Sequence, residues 1–222
     1  MKNKEISYEI IDFSGETNVQ FRTSVDPGSY IPTHWHRAIE IIYMQEGSLD
    51  VTVESESFTI HEGDCILVNG NVLHSTKCTA PNTAILLQIP LDFMAKYIPD
   101  LGQFLFLWDY RTDDPVKKTK LMMLKTTLEQ LQVINDIRPD GYLLRFNSLI
   151  FELLFQLYHN FSVKVFHQNI NQRQKEMDRL DPVLNYIAEH YKEPISLDEI
   201  ADIACLQTGY FCRFFKKKMG VT

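Results

Sequence analysis

Ser196-Leu-Asp-Glu-Ile-Ala-Asp-Ile-Ala-Cys-Leu-Gln-Thr-Gly-Tyr-Phe-Cys-Arg-Phe-Phe-Lys-Lys-Lys-Met-Gly220 reads as two short helices around a tight turn. Ser196 and Glu199, three residues apart, form a capping box, and Leu197, Ile200, Ala201 and Ala204 give one apolar face at helical spacing. A second helix begins near Thr208. Along it Phe211, Phe214 and Phe215 fall on an inward face, which leaves Gly209, Cys212, Arg213, Lys216 and Lys217 on the outer one. A cationic helix face suits phosphates and base edges. Without such contacts the pair would be an amphipathic packing module.

The spacing resembles the first helix-turn-helix of AraC-type (AraC/XylS) transcription regulators, with Tyr210, Phe211, Arg213, Phe215, Lys216, Lys217 and Gly220 at the family's anchor positions. Cys205 stands where the family often has Gly. Gln207 replaces the Ser that usually caps the second helix, and because Gln is a poor cap the role is expected to pass to Thr208. The resemblance implies double-stranded promoter DNA as partner. Arg213 would read a base edge, preferably guanine, Lys216 and Lys217 would hold phosphates, and Thr208, Gly209 and Cys212 would share the contact face. Family members carry a second such unit, whereas this sequence stops at Thr222, so the expectation is a truncated regulator that grips DNA weakly, affinity growing with each neutralised phosphate.

The net charge of −7 over 222 residues is unusual for a nucleic-acid binder until it is divided along the chain. Arg213, Lys216, Lys217 and Lys218 put four positive charges on one short helix, while residues 181–222 as a whole hold five basic against six acidic residues. The footprint is a patch, not a basic domain. No run of about 18 apolar residues is present, and Met1-Lys-Asn-Lys-Glu-Ile-Ser7 lacks the apolar core of a signal peptide. A cytoplasmic address with no membrane partner is expected. Cys65, Cys78, Cys205 and Cys212 have no paired spacing and are expected to be buried free thiols.

From Ile6 to about Ile89 the periodicity changes to short β-type segments (Glu40–Gln45, Leu49–Val53, Ser57–Ile60, Cys65–Val68, Thr83–Ile89) separated by turns such as Glu46-Gly-Ser and Glu62-Gly-Asp. Many short strands suggest a barrel or sandwich, and helices following strands suggest separate domains. Within them lie His34-Trp-His36, Glu40 and, later, His74. Alternation puts His34 and His36 on one strand face, and a later strand can bring His74 opposite.

These residues resemble the two cupin motifs: Gly28, five residues, His34-x-His36, three residues, Glu40, six residues, Gly47; then Gly63, five residues, Asn69-x-Asn71, two residues, His74. Asn69 and Asn71 replace the family's Pro and Gly, so a different turn before His74 is expected. In cupin enzymes the four residues bind a divalent metal, and imidazoles with a carboxylate suit iron, manganese, nickel or zinc. AraC-type sensory domains use the same barrel to hold an effector, usually without metal, and often read His-Trp-His, Glu, Glu-Gly-Ser, as His34-Trp35-His36, Glu40 and Glu46-Gly47-Ser48 do here. The leading expectation is therefore a metal-free pocket for a small polar effector, sugars among the candidates. A bound divalent metal at His34, His36, Glu40 and His74 is the alternative, and purely structural histidines a third. No metal or other cofactor is assigned.

Leu121, Leu124, Leu128 and Leu131 recur at spacings of three and four over Lys118–Asn135, and Arg138-Pro-Asp-Gly141 breaks that helix. Tyr142–Phe161 resumes with Phe146, Ile150, Leu153, Leu154 and Leu157 on one face, giving an antiparallel helical hairpin. It either covers the barrel or also pairs with its copy in a homodimer, as the resemblance implies. His167–Asp178 is polar, as a linker is, and Leu180–Tyr191 forms the next helix, with Leu184, Ile187 and Ala188 inward.

The expected architecture is mixed: an all-β cupin-like barrel at 1–90, a helical hairpin at 91–166, a linker at 167–179 and an all-α, partial AraC-type unit at 180–222. The function it implies is non-enzymatic: a regulator that binds an effector in the barrel and promoter DNA through the helix pair. The alternative is a metal-dependent cupin enzyme, a dioxygenase or isomerase, with an incidental helical tail.

Overall fold

The computed structural model describes residues 7–11, 15–165, 179–180, 182–184, 186–187, 190 and 192–219, with side chains to Lys217. They fall in two compact units, one over Glu9–Val165 and one that contains the C-terminal helices. The linker expected at 167–179 lies, but for Arg179, outside the described residues, as do Ala188 and Gly220.

The strands are β1 (Ser7–Tyr8), β2 (Gln20–Asp26), β3 (Tyr30–Trp35), β4 (Ala38–Glu46), β5 (Ser48–Val53), β6 (Glu56–His61), β7 (Cys65–Val68), β8 (His74–Lys77), β9 (Asn82–Pro90), β10 (Phe104–Phe106) and β11 (Ser162–Lys164). The helices are α1 (Leu91–Ala95), α2 (Pro115–Ile137), α3 (Tyr142–Phe161), α4 (Leu197–Ile203) and α5 (Thr208–Met219). One antiparallel sheet runs β2-β9-β4-β7, and the other contains β3-β8-β5-β6 in that order.

Strand β4 explains how the barrel is built. Its residues Ala38–Ile42 are all buried because both faces are covered. Ile39 and Ile41 join Ile85, Leu87 and Ile89 of β9 in a core shared with Leu124, Leu128, Phe146 and Leu153 of the helices. Ile42 and Met44 point the other way, into a second core with Leu49, Val51, Ile60, Ile66 and Ala84. Period-two alternation therefore divides one near-continuous apolar run between a helix-facing and a lumen-facing side.

The hairpin covers the barrel. Helix α2 starts three residues before the expected Lys118 because the Asp114 side chain accepts from the N–H groups of Val116 and Lys117 and Pro115 fills the first turn. It ends at Arg138, left-handed at φ 46°, just before Pro139. Helix α3 has the span read from the sequence, and β11, which directly follows it, pairs back with β10 ahead of α2, a pair not foreseen there.

Two turns test the glycine pattern of the barrel motifs. Gly47 has φ +80°, and a Cβ there would lie 2.8 Å from the carbonyl oxygen of Pro81, so both backbone angle and space demand glycine. Asn71 adopts φ 63° in the position where the cupin motif has Gly, a conformation Asn tolerates better than most residues. Asn69 is used differently: its side chain donates to the Phe106 carbonyl at 2.8 Å and accepts from the Phe106 N–H at 3.0 Å, tying this turn to β10.

In the C-terminal unit the Ser196–Glu199 capping box is present in both directions. Ala201, Ala204, Val183 and Phe211 form its small core, with Ile187, Ile200, Leu206 and Phe215 packed against them. Leu197, expected inward, is 47% exposed, since it opens the helix and faces solvent.

Candidate functional site: a buried histidine cluster and a helix-turn-helix

Two cross-strand pairs build the cluster. His34 opposes His74 across β3 and β8, and Glu40 opposes Gln88 across β4 and β9. His36 follows β3 at the corner between the sheets. The ring centroids of His34 and His74 are 4.1 Å apart, those of His36 and His74 4.9 Å and those of His34 and His36 5.8 Å. The sequence-predicted set of His34, His36, Glu40 and His74 is thus brought together, and all four are buried.

Each imidazole is held the same way. Nδ1 of His34 donates to the Pro32 carbonyl at 2.8 Å, that of His36 to Ala38 at 3.0 Å and that of His74 to Val72 at 2.9 Å. A carbonyl oxygen only accepts, so the proton sits on Nδ1 in every ring and Nε2 is turned to the common centre. One ligand atom from each of the three histidines lies within 4.8 Å of the others.

Glu40 Oε2 is 3.0 Å from His36 Nε2, 2.7 Å from Gln88 Nε2 and 3.8 Å from His74 Nε2. The buried Nε2 of His74 has no hydrogen-bond partner. Both nitrogens of His36 face acceptor oxygens, an arrangement that a proton or a divalent cation at Nε2 satisfies.

The charges reinforce one another. Burial alone would raise the Glu40 pKa, but the rings of His36 and His74 overcome it and hold the carboxyl far below its ordinary range. Burial opposes a charge on His74, yet the neighbouring Glu40 carboxylate outweighs it and the pKa rises. At His34 burial prevails, helped by the proximity of His74, and its pKa falls. Adjacent imidazoles are thereby driven apart in basicity.

Sequence reading missed two members. Gln88 points into the lumen because it is even-numbered on β9, in register with Glu40; only the strand pairing reveals this. Glu9 lies outside the barrel motifs, and its Oε2 reaches to 3.5 Å from His34 Nε2 and 3.9 Å from His36 Nε2.

The donor set fits a divalent metal: three Nε2 atoms with their protons parked on Nδ1, a carboxylate held ionised, and one buried ring nitrogen without a partner. His34, His36, His74 and Glu40 are the residues that would hold it.

On the C-terminal unit, Gly209, Arg213, Lys216 and Lys217 are exposed, and Thr208 and Cys212 are half-buried. Thr208 does not cap α5. It is the first residue of the helix, the Gln207 carbonyl accepts from the N–H groups of Tyr210 and Phe211, and the Thr208 hydroxyl donates to Asp198 Oδ1 at 2.6 Å. That bond joins the two helices and occupies the hydroxyl expected to face DNA. Cys205, in the turn, has φ 54°, which accounts for the family's preference for Gly there. The expectation of four buried thiols holds for Cys65 and Cys78 only; Cys205 is exposed and Cys212 half-buried.

The Cupin domain family matches residues 21–90, and the family of bacterial regulatory helix-turn-helix proteins, AraC family, matches residues 187–222. The chain joins a cupin domain to an AraC-family helix-turn-helix. It is a DNA-binding transcriptional regulator of that make-up. The regulator is 24% identical to the HTH-type transcriptional regulator YdeC of Bacillus subtilis (strain 168), over all of this chain and 80% of that one. It is 27% identical to the probable transcriptional regulator LumQ of Photobacterium leiognathi, over 85% and 68% of the respective chains. A solved RmlC-like cupin from Shewanella frigidimarina is 26% identical over 34% of the regulator and 70% of its own chain, with a TM-score of 0.31, too slight a likeness to add to the assignment. Among the described residues no helix is long and apolar enough to cross a membrane.

Proposed function

We propose that the regulator detects a small polar metabolite, sugars included, through His34, His36, Glu40 and His74, and that occupancy alters how it engages promoter DNA. The observation that carries this reading is the placement of the polar cluster: five buried polar side chains, Gln88 among them, gather in a lumen otherwise lined by Ile42, Met44, Val51 and Ile60. Such concentrated polarity in an apolar barrel suits a ligand rich in hydrogen-bonding groups. To switch anything the ligand must favour one arrangement of the protein, and each tenfold preference corresponds to ~1.4 kcal/mol of bias.

A second reading, favoured by the Nδ1-anchored rings, is that the pocket holds a divalent metal. Bound there, the metal would supply a Lewis-acidic centre for an anionic or hydroxyl-bearing effector. The regulators among its relatives favour sensing over catalysis in either case.

On the DNA side, Arg213 reads a base edge, Lys216 and Lys217 hold phosphates, and Gly209 and the half-buried Cys212 allow close approach. Work at promoters supports a cytoplasmic address. A homodimer through the hairpin is supported by the apolar side chains it exposes, Met122, Ile137, Leu144 and Phe155 among them.

The test is fluorescence anisotropy with promoter fragments at low salt. Arg213→Ala is expected to lower discrimination between cognate and scrambled duplex by about 1–3 kcal/mol. Equal selectivity in parent and variant rejects the role given to Arg213.

A further inference from the structure

We infer that Glu9 is a fifth ligand of the cluster, joining His34, His36, Glu40 and His74 in a site for a divalent cation. This rests on the metal reading above and adds a residue that neither cupin motif contains.

Glu9 occupies its place through contacts of its own. Its backbone N–H donates to the Trp35 carbonyl at 2.9 Å, which lays the segment alongside the end of β3, between His34 and His36 in sequence. From there Oε2 sits 3.5 Å from His34 Nε2, 3.9 Å from His36 Nε2 and 3.5 Å from Gln88 Nε2. Glu40 approaches the same Gln88 amide from the barrel wall at 2.7 Å. One amide thus steadies two carboxylates, and one ligand atom from each of Glu9, His36 and Glu40 lies within 4.8 Å of the others.

Two carboxylates directed at one point repel each other unless something positive lies between them. Three imidazoles whose Nδ1 protons are committed to backbone carbonyls turn their second ring nitrogen, Nε2, to that point. The buried Nε2 of His74 makes no hydrogen bond and stands 3.8 Å from Glu40 Oε2, a gap that a cation held by both would bridge. A divalent cation meets all of these demands with five donors, two anionic and three neutral, so that the ion's charge is balanced. The donors differ in one respect: the Glu9 side chain is 41% exposed, whereas that of Glu40 is 6% exposed. Glu9 is therefore the solvent-side ligand, and an incoming anionic group competes with it first.

The experiment is Mn(II) binding by equilibrium dialysis together with the visible absorption of the Co(II) form, on the parent, Glu9→Gln, His74→Ala and the remote control Glu56→Gln. The expected result is one equivalent bound by the parent, affinity about 10- to 100-fold weaker in Glu9→Gln, a changed Co(II) spectrum in that variant, and parent behaviour in Glu56→Gln. Loss of binding in His74→Ala with unchanged affinity and spectrum in Glu9→Gln overturns the role of Glu9 and leaves the metal reading standing. Equal weakening in Glu9→Gln and Glu56→Gln, with an unchanged spectrum, reduces Glu9 to a general charge effect and also overturns it. A parent that binds neither ion overturns both inferences.

Discussion

The barrel cluster and the helix-turn-helix handle charge in opposite ways. In the barrel, Glu40, His34, His36 and His74 are enclosed, each ring is fixed by a backbone carbonyl, and their protonation preferences are set by one another. On α5, Arg213, Lys216 and Lys217 stand in solvent. In the proposed roles the contrast is expected: a pocket for one small ligand depends on preorganisation, while a face for a polyanion needs only correctly spaced cations on a helix that stays folded. The supporting cores differ as well: more than twenty buried side chains link barrel and hairpin, whereas among the described residues of the C-terminal unit the buried cluster is Val183, Ala201, Ala204 and Phe211.

The largest expected effect tests that inequality of cores. Leu153→Ala, at a fully buried position of α3, should cost about 2–5 kcal/mol and lower the thermal midpoint of the barrel unit. Phe211→Ala should cost about 3–5 kcal/mol, enough to melt so small a unit, abolishing DNA binding while the barrel's near-ultraviolet circular dichroism persists. Simultaneous loss of both signals in Phe211→Ala would show that the two units do not unfold separately.

A smaller effect sharpens the contrast in charge. The pKa of Glu40 is depressed in the folded protein, so its stabilisation is present above the ordinary carboxylate range and is lost as pH falls below it. That of His74 is raised, so its contribution is present below the ordinary imidazole range and fades as pH climbs through the raised value; His34, depressed, loses its contribution on acidification. Glu40→Gln should remove about 2 kcal/mol near neutrality and flatten the acid limb of a urea-denaturation series against pH. An acid limb as steep as the parent's would contradict the assignment.

The smallest change acts on the turn of the C-terminal unit. Because Cys205 is left-handed, Cys205→Gly should stabilise that unit by up to about 1 kcal/mol, visible as a higher denaturation midpoint with DNA selectivity intact.

Much of this was legible in the residues. Periodicity placed α3 at its observed ends and α2 within three residues, and the histidine spacing named the four clustered side chains. What escaped detection depended on pairing across distance. Gln88 joins the site by its register with Glu40, and Glu9 by a backbone bond to Trp35; neither has a local signature. Thr208 misled for a related reason: a hydroxyl at a helix start is ordinarily a cap, but Asp198, ten residues earlier, claims it.

Strand β4 is covered on both sides, and this makes it a two-faced lever. Glu40 stands between Ile39 and Ile41 in the chain; the carboxylate looks into the vessel while its neighbours are wedged in the core beneath α2 and α3. Whatever displaces the Glu40 carboxylate is therefore felt first by Ile39 and Ile41, its chain neighbours packed beneath the hairpin.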